Sequence, residues 1–344
     1  MHETSNFANL RRRRQAAQGH ARNEDTNRRD RRQKSYEVRP TIKRQLVAAL
    51  ATVVGIGAWY LTPVSDWLTS LLLHQIPIEA DIEMGRSALL EFPYKTIYHS
   101  HWSPLVSQVG FELIATLEKA PKEIIEEARG SSSNFMEDII AGLDSNFELS
   151  PSSLNLKNYQ WDFGVVRAPI VNAFALPGGI IRVTDQLLDT LQPTRGELAS
   201  LLGHEIGHAL LRHSQKRIME QKMLSLVLSA ITYEDNDDDD ESFGEALGEL
   251  LLNGAKWFGQ QKFSRRDEYQ ADATGWALLQ VSRRYNPKSV QSLLNKLWNL
   301  QGKSDTPLDW MSTHPATESR IEVLKEKWQR LSRSQQRRLE YYPI

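Results

Sequence analysis

The chain has no cysteine in 344 residues. That absence excludes disulfide frameworks, thiol nucleophiles and thiolate metal sites. Any transition metal must therefore be held by Asp, Glu or one of only nine His. Net charge is almost lacking too, with 42 Lys+Arg against 43 Asp+Glu. Hydrophobic residues make up 40%, enough for a sizeable core and too few for a polytopic membrane protein. Long uncharged runs are scarce, and the one that is long enough to matter lies near the start.

The charge balance hides an asymmetry. Residues 1–44 carry thirteen Lys+Arg and five Asp+Glu, including the run Arg11-Arg12-Arg13-Arg14, with few apolar residues and no period. Such a stretch cannot offset the entropy of ordering and reads as a disordered basic tail. Its acids, Glu24, Asp25 and Asp30, argue against an organelle presequence, and no nucleic-acid partner is expected of it. From Gln45 to Ser65 there are 21 residues without a charge. As a helix they span about 30 Å, the thickness of a bilayer's hydrocarbon core. Trp59 and Tyr60 sit where an aromatic belt lies, and Pro63 marks the end. The expectation is a single transmembrane helix over 45–65 in contact with the lipid bilayer. No basic residue occurs between Asp66 and Gly85, so the positive-inside rule leaves the tail on the cytoplasmic or matrix side and all that follows on the opposite side. The uncharged run starts far from the N-terminus and has no small-residue cleavage motif after it, which argues against a signal peptide. Residues 66–104 read as a juxtamembrane segment, in which His99 and His101 are taken as an ordinary loop pair.

From about residue 105 the apolar spacing is mainly helical. Trp161–Val166 and Ile180–Thr184 are short, β-branched and separated by the turn-prone Leu176-Pro177-Gly178-Gly179. They predict two or three antiparallel strands in a helical domain over 105–335.

The decisive stretch follows. Thr194 and Glu197 have capping-box spacing after Pro193, so a helix is predicted to start there. On it His204 and His208, four residues apart, project from one face and can bind one tetrahedral zinc ion. Glu205 lies beside them, where a carboxylate can take a proton from water at the metal without ligating it. A catalytic zinc needs a third protein ligand and an open fourth position. The metzincin extension requires glycine at position 211 and histidine at position 214, where this chain has Leu211 and Ser214. His213 falls about 140° around a continuous helix from His208 and reads as an exposed residue near a helix end. The third ligand is therefore sought in Ser264-Arg265-Arg266-Asp267-Glu268-Tyr269-Gln270-Ala271-Asp272. Glu268 and Asp272 share a helix face, while Ala271 and Gly275 allow close approach to a strip formed by Gly203 and Gly207. Glu268 is assigned as the ligand and Asp272 as the acceptor that orients a zinc-bound imidazole. Between the two ligand helices, residues 234–241 hold seven acids in eight residues. They lack the pattern of an EF-hand and read as a solvated insertion.

Four motifs in order now resemble a known family: the His204–His208 motif, Ser264–Asp272, Asn172–Gly179 and Ser312–Ile321. The chain is similar over about residues 80–330 to HtpX-like and CaaX-prenyl-protease-like zinc metalloendopeptidases. Within that family it looks most like inner-membrane quality-control peptidases of mitochondria and periplasmic peptidases of bacteria. The resemblance implies a gluzincin-type fold, mainly α (α+β), with a small antiparallel sheet above the active-site helix. It implies that Asn172, Ala173 and Phe174 form an edge strand to which the substrate adds as a further strand, with Asn172 placed to hold a substrate amide or carbonyl. It also implies that His314 is a catalytic residue stabilising the oxyanion. Arg320 is read as anchoring that segment by an ion pair.

The resulting expectation is a membrane-anchored zinc endopeptidase with one Zn2+ per chain, acting on membrane or misfolded proteins in quality control, with homo-oligomerisation open. The mitochondrial inner membrane is the favoured location and a bacterial inner membrane the alternative. A catalytically silent anchored chaperone or scaffold would show a lost ligand or base, and all four key residues are present. A hydrolase of non-peptide amides is disfavoured by an edge strand suited to β-addition.

Overall fold

A computed structural model describes residues 73, 76–120, 122, 124, 158–220, 262–302, 308–315 and 318–344. The basic tail (1–44), the proposed span (45–65), the acidic insertion (234–241) and two stretches flanking it whose sequence suggests core helices, 223–231 and 247–258, lie outside the described residues. Among the described residues no helix is long and apolar enough to cross a membrane.

The elements run in the order α1 (Ile78–Glu91), β1 (Thr96–Ile97), α2 (Trp102–Lys119), β2 (Asp162–Val166), β3 (Ala173–Leu176), a 3-10 turn (Pro177–Gly179), β4 (Ile180–Thr184), α3 (Asp185–Leu191), α4 (Arg195–Leu210), α5 (Arg265–Ser282), α6 (Lys288–Gln301), α7 (Asp309–Thr313), α8 (Glu318–Arg330) and α9 (Arg333–Glu340). The mainly helical reading with one small sheet holds. Helix α1 and strand β1 come from the stretch taken as juxtamembrane and pack on the sheet.

The sheet itself corrects the expectation of a purely antiparallel one. Its four strands run β1-β2-β4-β3, with β2 and β4 parallel and the two outer pairs antiparallel. The reason is the turn. Gly178 holds φ 78° with Ile82 packed against it, a conformation open to glycine at little cost. The turn folds β4 back along β3, and β4 inserts between β3 and the earlier β2. Both faces of the sheet are covered, as a parallel pair requires. Alternate residues of β3 divide accordingly. Ala173 and Ala175 join the main core with Leu198, Leu202 and Ile206 of α4. Phe174 and Leu176 pack with Met84 and Ala88 of α1.

The two long helices that carry the site are each started by a reciprocal cap. Thr194 Oγ1 accepts from Glu197 N at 3.1 Å, and Thr194 N donates to Glu197 Oε2 at 2.9 Å. Ser264 and Asp267 make the same exchange at the start of α5. The helices then meet along small residues. A Cβ on Gly203 would lie 3.0 Å from Gly275 Cα, and one on Gly207 would lie 2.9 Å from Ala271 Cα. The close approach expected from those four positions is therefore present, and it brings residues 204–208 level with 268–272.

Candidate metal centre

Helix α4 carries His204, Glu205 and His208, none more than 2% exposed. Helix α5 presents Glu268 and Asp272 to them, and His314, at the C-terminus of α7, closes the group from a third direction. His204 Nε2 lies 3.0 Å from His208 Nε2 and 3.3 Å from His314 Nδ1. Glu268 Oε1 lies 2.9 Å from His314 Nδ1 and 3.4 Å from His208 Nε2. Its Oε2 lies 3.6 Å from His204 Nε2. One ligand atom from each of these four residues falls within 4.8 Å of all the others.

Metal–ligand bonds of about 2.0 Å would set tetrahedral donors about 3.3 Å apart, so the spacing suits one small ion. The protonation pattern points the same way. Asp272 Oδ1 lies 3.0 Å from His204 Nδ1, and Arg320 holds that carboxylate ionised. With Asp272 accepting from Nδ1, Nε2 is the nitrogen that His204 turns toward His208 Nε2, and a cation between the two rings would be held by both. Three imidazole nitrogens and a carboxylate are a donor set that zinc and neighbouring divalent metals accept.

The electrostatics separate the roles. Burial favours the neutral form of Glu268, but Arg320 and His314 outweigh it and hold the carboxyl well below the usual range. Burial also opposes a charge on His204, where the hydrogen bond it donates to Asp272 and the Glu268 carboxylate prevail and raise its pKa. In His208 burial dominates and lowers the pKa to about 4. Glu205 is pushed above its ordinary value by burial, only partly countered by the two histidines. Its Oε1 accepts from Trp310 Nε1 at 3.3 Å, and its Oε2 is buried with no hydrogen-bond partner among the described residues. A buried carboxylate with a raised pKa and a free oxygen is poised as a proton acceptor.

Thus His204, His208, Glu268, Asp272 and Glu205 come together as read from spacing. His314 comes closer than an oxyanion donor needs, because its Nδ1 stands among the metal-facing atoms. Arg320 does anchor its segment by ion pairs, reaching Asp272 and Glu268. Strand β3 is an edge strand, with Asn172 just before it. Asn172 is buried, its Oδ1 lacks a partner, and it lines a cleft of about 10 Å³ with Ala173, Ser214, Phe263 and His314. Phe174 lines the same cleft, and its ring also lies against Phe92, centroids 4.7 Å apart.

One expectation about this region fails, and two side chains beside the site carry almost no sequence signal. His213 is not exposed: it is 2% accessible and its Nδ1 lies 2.9 Å from His208 Nδ1. The helical-wheel angle misplaced it because α4 ends at Leu210 and Arg212 takes the left-handed φ of 56°. Trp310 and Phe263 were not singled out. The Phe263 ring lies tilted against the His208 ring, centroids 4.0 Å apart. Nothing in their local sequence marks either, beyond Trp310 lying one helical turn before His314.

A capped helix with two metal-facing histidines and an adjacent carboxylate, joined by a glutamate from a second helix, defines the metal-dependent peptidase class. The chain belongs to peptidase family M48, whose family pattern matches residues 142–328. It is similar to the mitochondrial metalloendopeptidase OMA1 of Arabidopsis thaliana, 33% identical over 172 residues covering 50% of this chain and 32% of that protein. The OMA1 of Schizosaccharomyces pombe is 30% identical over 174 residues, covering 50% and 48%. The metalloprotease LoiP of Escherichia coli is 29% identical over 178 residues, covering 50% and 65%. The chain therefore spans between about a third and two thirds of the length of these relatives.

Proposed function

We propose that this protein is a membrane-anchored, zinc-dependent endopeptidase of gluzincin type that cleaves membrane or misfolded proteins in quality control. The observation that carries the reading is the convergence of His204, His208 and Glu268 from two helices beside the partnerless oxygen of Glu205. Names of relatives support the finer points. Several are mitochondrial metalloendopeptidases, in keeping with an inner mitochondrial membrane, and LoiP is a bacterial metalloprotease, in keeping with the alternative. The anchor proposed is 45–65, with the tail on the matrix or cytoplasmic side and the peptidase domain opposite.

His204, His208 and Glu268 would hold the ion. When bound, it supplies a Lewis acid and lowers the pKa of water. Glu205 accepts the proton of the attacking water and returns it to the leaving amine, and no covalent enzyme intermediate is needed. Asp272 keeps the His204 lone pair aimed inward. The peptide adds to the free edge of β3 around Ala173 and Phe174 and is held by backbone hydrogen bonds, with Asn172 Oδ1 as an acceptor. His314, on a short helix rather than a long one, is the donor that gives way to substrate and then serves the developing oxyanion.

The test is metal content measured together with casein cleavage. The parent should carry about one zinc per chain, as expected for one such site, and cleave. Glu205→Gln should keep the zinc and lose cleavage by about 10²–10⁴-fold. A Gln variant as active as the parent would remove Glu205 from its role. Protease protection in intact organelles or spheroplasts tests the side of the membrane.

A further inference from the structure

His213 has no part in the scheme above, yet it is buried and both of its ring nitrogens are engaged. Its Nδ1 faces His208 Nδ1 at 2.9 Å, and its Nε2 faces Gln270 Oε1 at 3.1 Å. Two Nδ1 atoms at that distance share one hydrogen: one ring must donate and the other accept. The carbonyl oxygen of Gln270 decides which, because it can only accept. His213 therefore carries its hydrogen on Nε2 and offers a lone pair at Nδ1. His208 must then carry its hydrogen on Nδ1, which leaves the Nε2 lone pair directed at His204, Glu268 and His314.

We propose that His213 is a positioning residue for the metal site, fixing the tautomer and ring angle of the ligand His208 through the chain His208 Nδ1–H to His213 Nδ1 and His213 Nε2–H to Gln270 Oε1. The inference rests on the metal-site reading above. It gives the two histidines of the motif different supports. His204 donates to the charged carboxylate of Asp272, and His208 donates to a neutral imidazole. Helix α5 supplies both outer partners, Asp272 and Gln270, as well as the ligand Glu268.

The backbone is arranged for this contact. On a continuous helix His213 would point away from His208. The chain instead breaks after Leu210, and Arg212 adopts a φ of 56°, a region that residues other than glycine seldom occupy. Helix resumes at 213–220 with His213 turned back toward the site. The break is held by the Arg212 guanidinium, which donates to the carbonyls of Leu73 and Ile76 at 2.6 and 3.1 Å and to Asp81 Oδ1 at 2.7 Å. Gln215 Nε2 donates to the other oxygen of Asp81 at 2.9 Å. A strained residue gripped on several sides marks a geometry the fold maintains. Here its effect is to bring one imidazole against another.

The experiment measures Zn2+ affinity of the purified full-length chain by competition with a chromogenic chelator. Parent, His213→Phe, His213→Asn and Gln270→Leu are compared, with circular dichroism confirming that each is folded. His213→Phe keeps a ring but removes the acceptor, and should weaken Zn2+ binding by about 10–100-fold, the usual effect of losing a ligand's hydrogen-bond partner. His213→Asn places an amide oxygen near the lost Nδ1 and should restore most of that affinity, which a role in packing alone would not explain. Gln270→Leu should weaken binding in the same direction by less. A folded Phe variant with the parent's affinity overturns the proposal, as does an Asn variant no better than Phe. Should the Phe variant fail to fold, Gln270→Leu decides, and unchanged affinity there overturns it. A parent that binds no Zn2+ instead sinks the metal-site reading itself, and this inference with it.

Discussion

Arg320 grips Asp272 through two parallel hydrogen bonds of 2.7 Å, Nε to Oδ2 and Nη2 to Oδ1. Its Nη1 reaches Glu268 Oε2 at 2.6 Å, and all three side chains are buried. One guanidinium on α8 thus holds in place both the proposed carboxylate ligand and the carboxylate that orients His204. Planar, bidentate recognition of this kind is what arginine provides and lysine does not.

Replacing Arg320 should therefore damage the site and the fold together. Arg320→Leu leaves two buried carboxylates uncompensated and should destabilise the domain by about 3–5 kcal/mol. Arg320→Lys keeps the charge without the fork and should fall between Leu and parent. Denaturant unfolding and zinc content are the measurements. Parent-like values for both in the Leu variant would show that the carboxylates do not depend on this partner.

His314 supplies the fourth atom of the cluster, at the place where water would enter in the proposed hydrolysis. His314→Ala should keep stoichiometric zinc, because three ligands remain, and lower kcat by about 10²–10³-fold through loss of an oxyanion donor. Steady-state cleavage of a fluorogenic peptide reads this out. A faster Ala variant would show that blocking the open position is the main effect of His314.

The α4–α5 contact leaves no room for a methyl group at Gly207, whose added Cβ would meet backbone of Ala271 at 2.9 Å. Gly207→Ala gains about 1 kcal/mol in helix propensity, yet overpacking costs about 1–3 kcal/mol. The expected net effect is a loss of up to about 2 kcal/mol together with weaker zinc binding, read by thermal unfolding and by chelator competition. A more stable Ala variant would mean that the helices can part without cost.

Glu197 links the start of α4 to α6 by accepting from Ser292 Oγ and Lys296 Nζ, each at 2.8 Å. Burial raises its pKa, but Lys296, the cap at Thr194 and Ser292 outweigh burial and bring it below 4.5. Its stabilisation is thus fully present above about 4.5 and is lost as the pH falls through the lower folded value. Glu197→Ala should cost about 1–2 kcal/mol at pH 7, and the gap from the parent should shrink under acid. Unfolding curves for both proteins at pH 7 and pH 4 check the sign.

Much of the site was readable from spacing because it lies along helices. A separation of four puts His204 and His208 on one face, as it does Glu268 and Asp272, whatever the rest of the chain does. The four small residues marked where the two helices touch, since only missing side-chain volume allows that approach. The β-branched runs marked β2 and β4, whereas β3 was implied by the resemblance, β1 had no such signal, and the strand order was not readable. The parallel pairing of β2 with β4 depends on which strand inserts between two others, a choice that no local preference encodes.

By itself the sequence determined the donor types, the capped helix that carries them and the carboxylate beside them, since these follow from covalent order and helical period. Tertiary structure alone decided that His314 joins the donor set from a third element and that Arg320 clamps two carboxylates at once. It alone brought His213 back onto His208. Each of these depends on where a chain break or a distant helix comes to rest, and that is settled by packing rather than by periodicity.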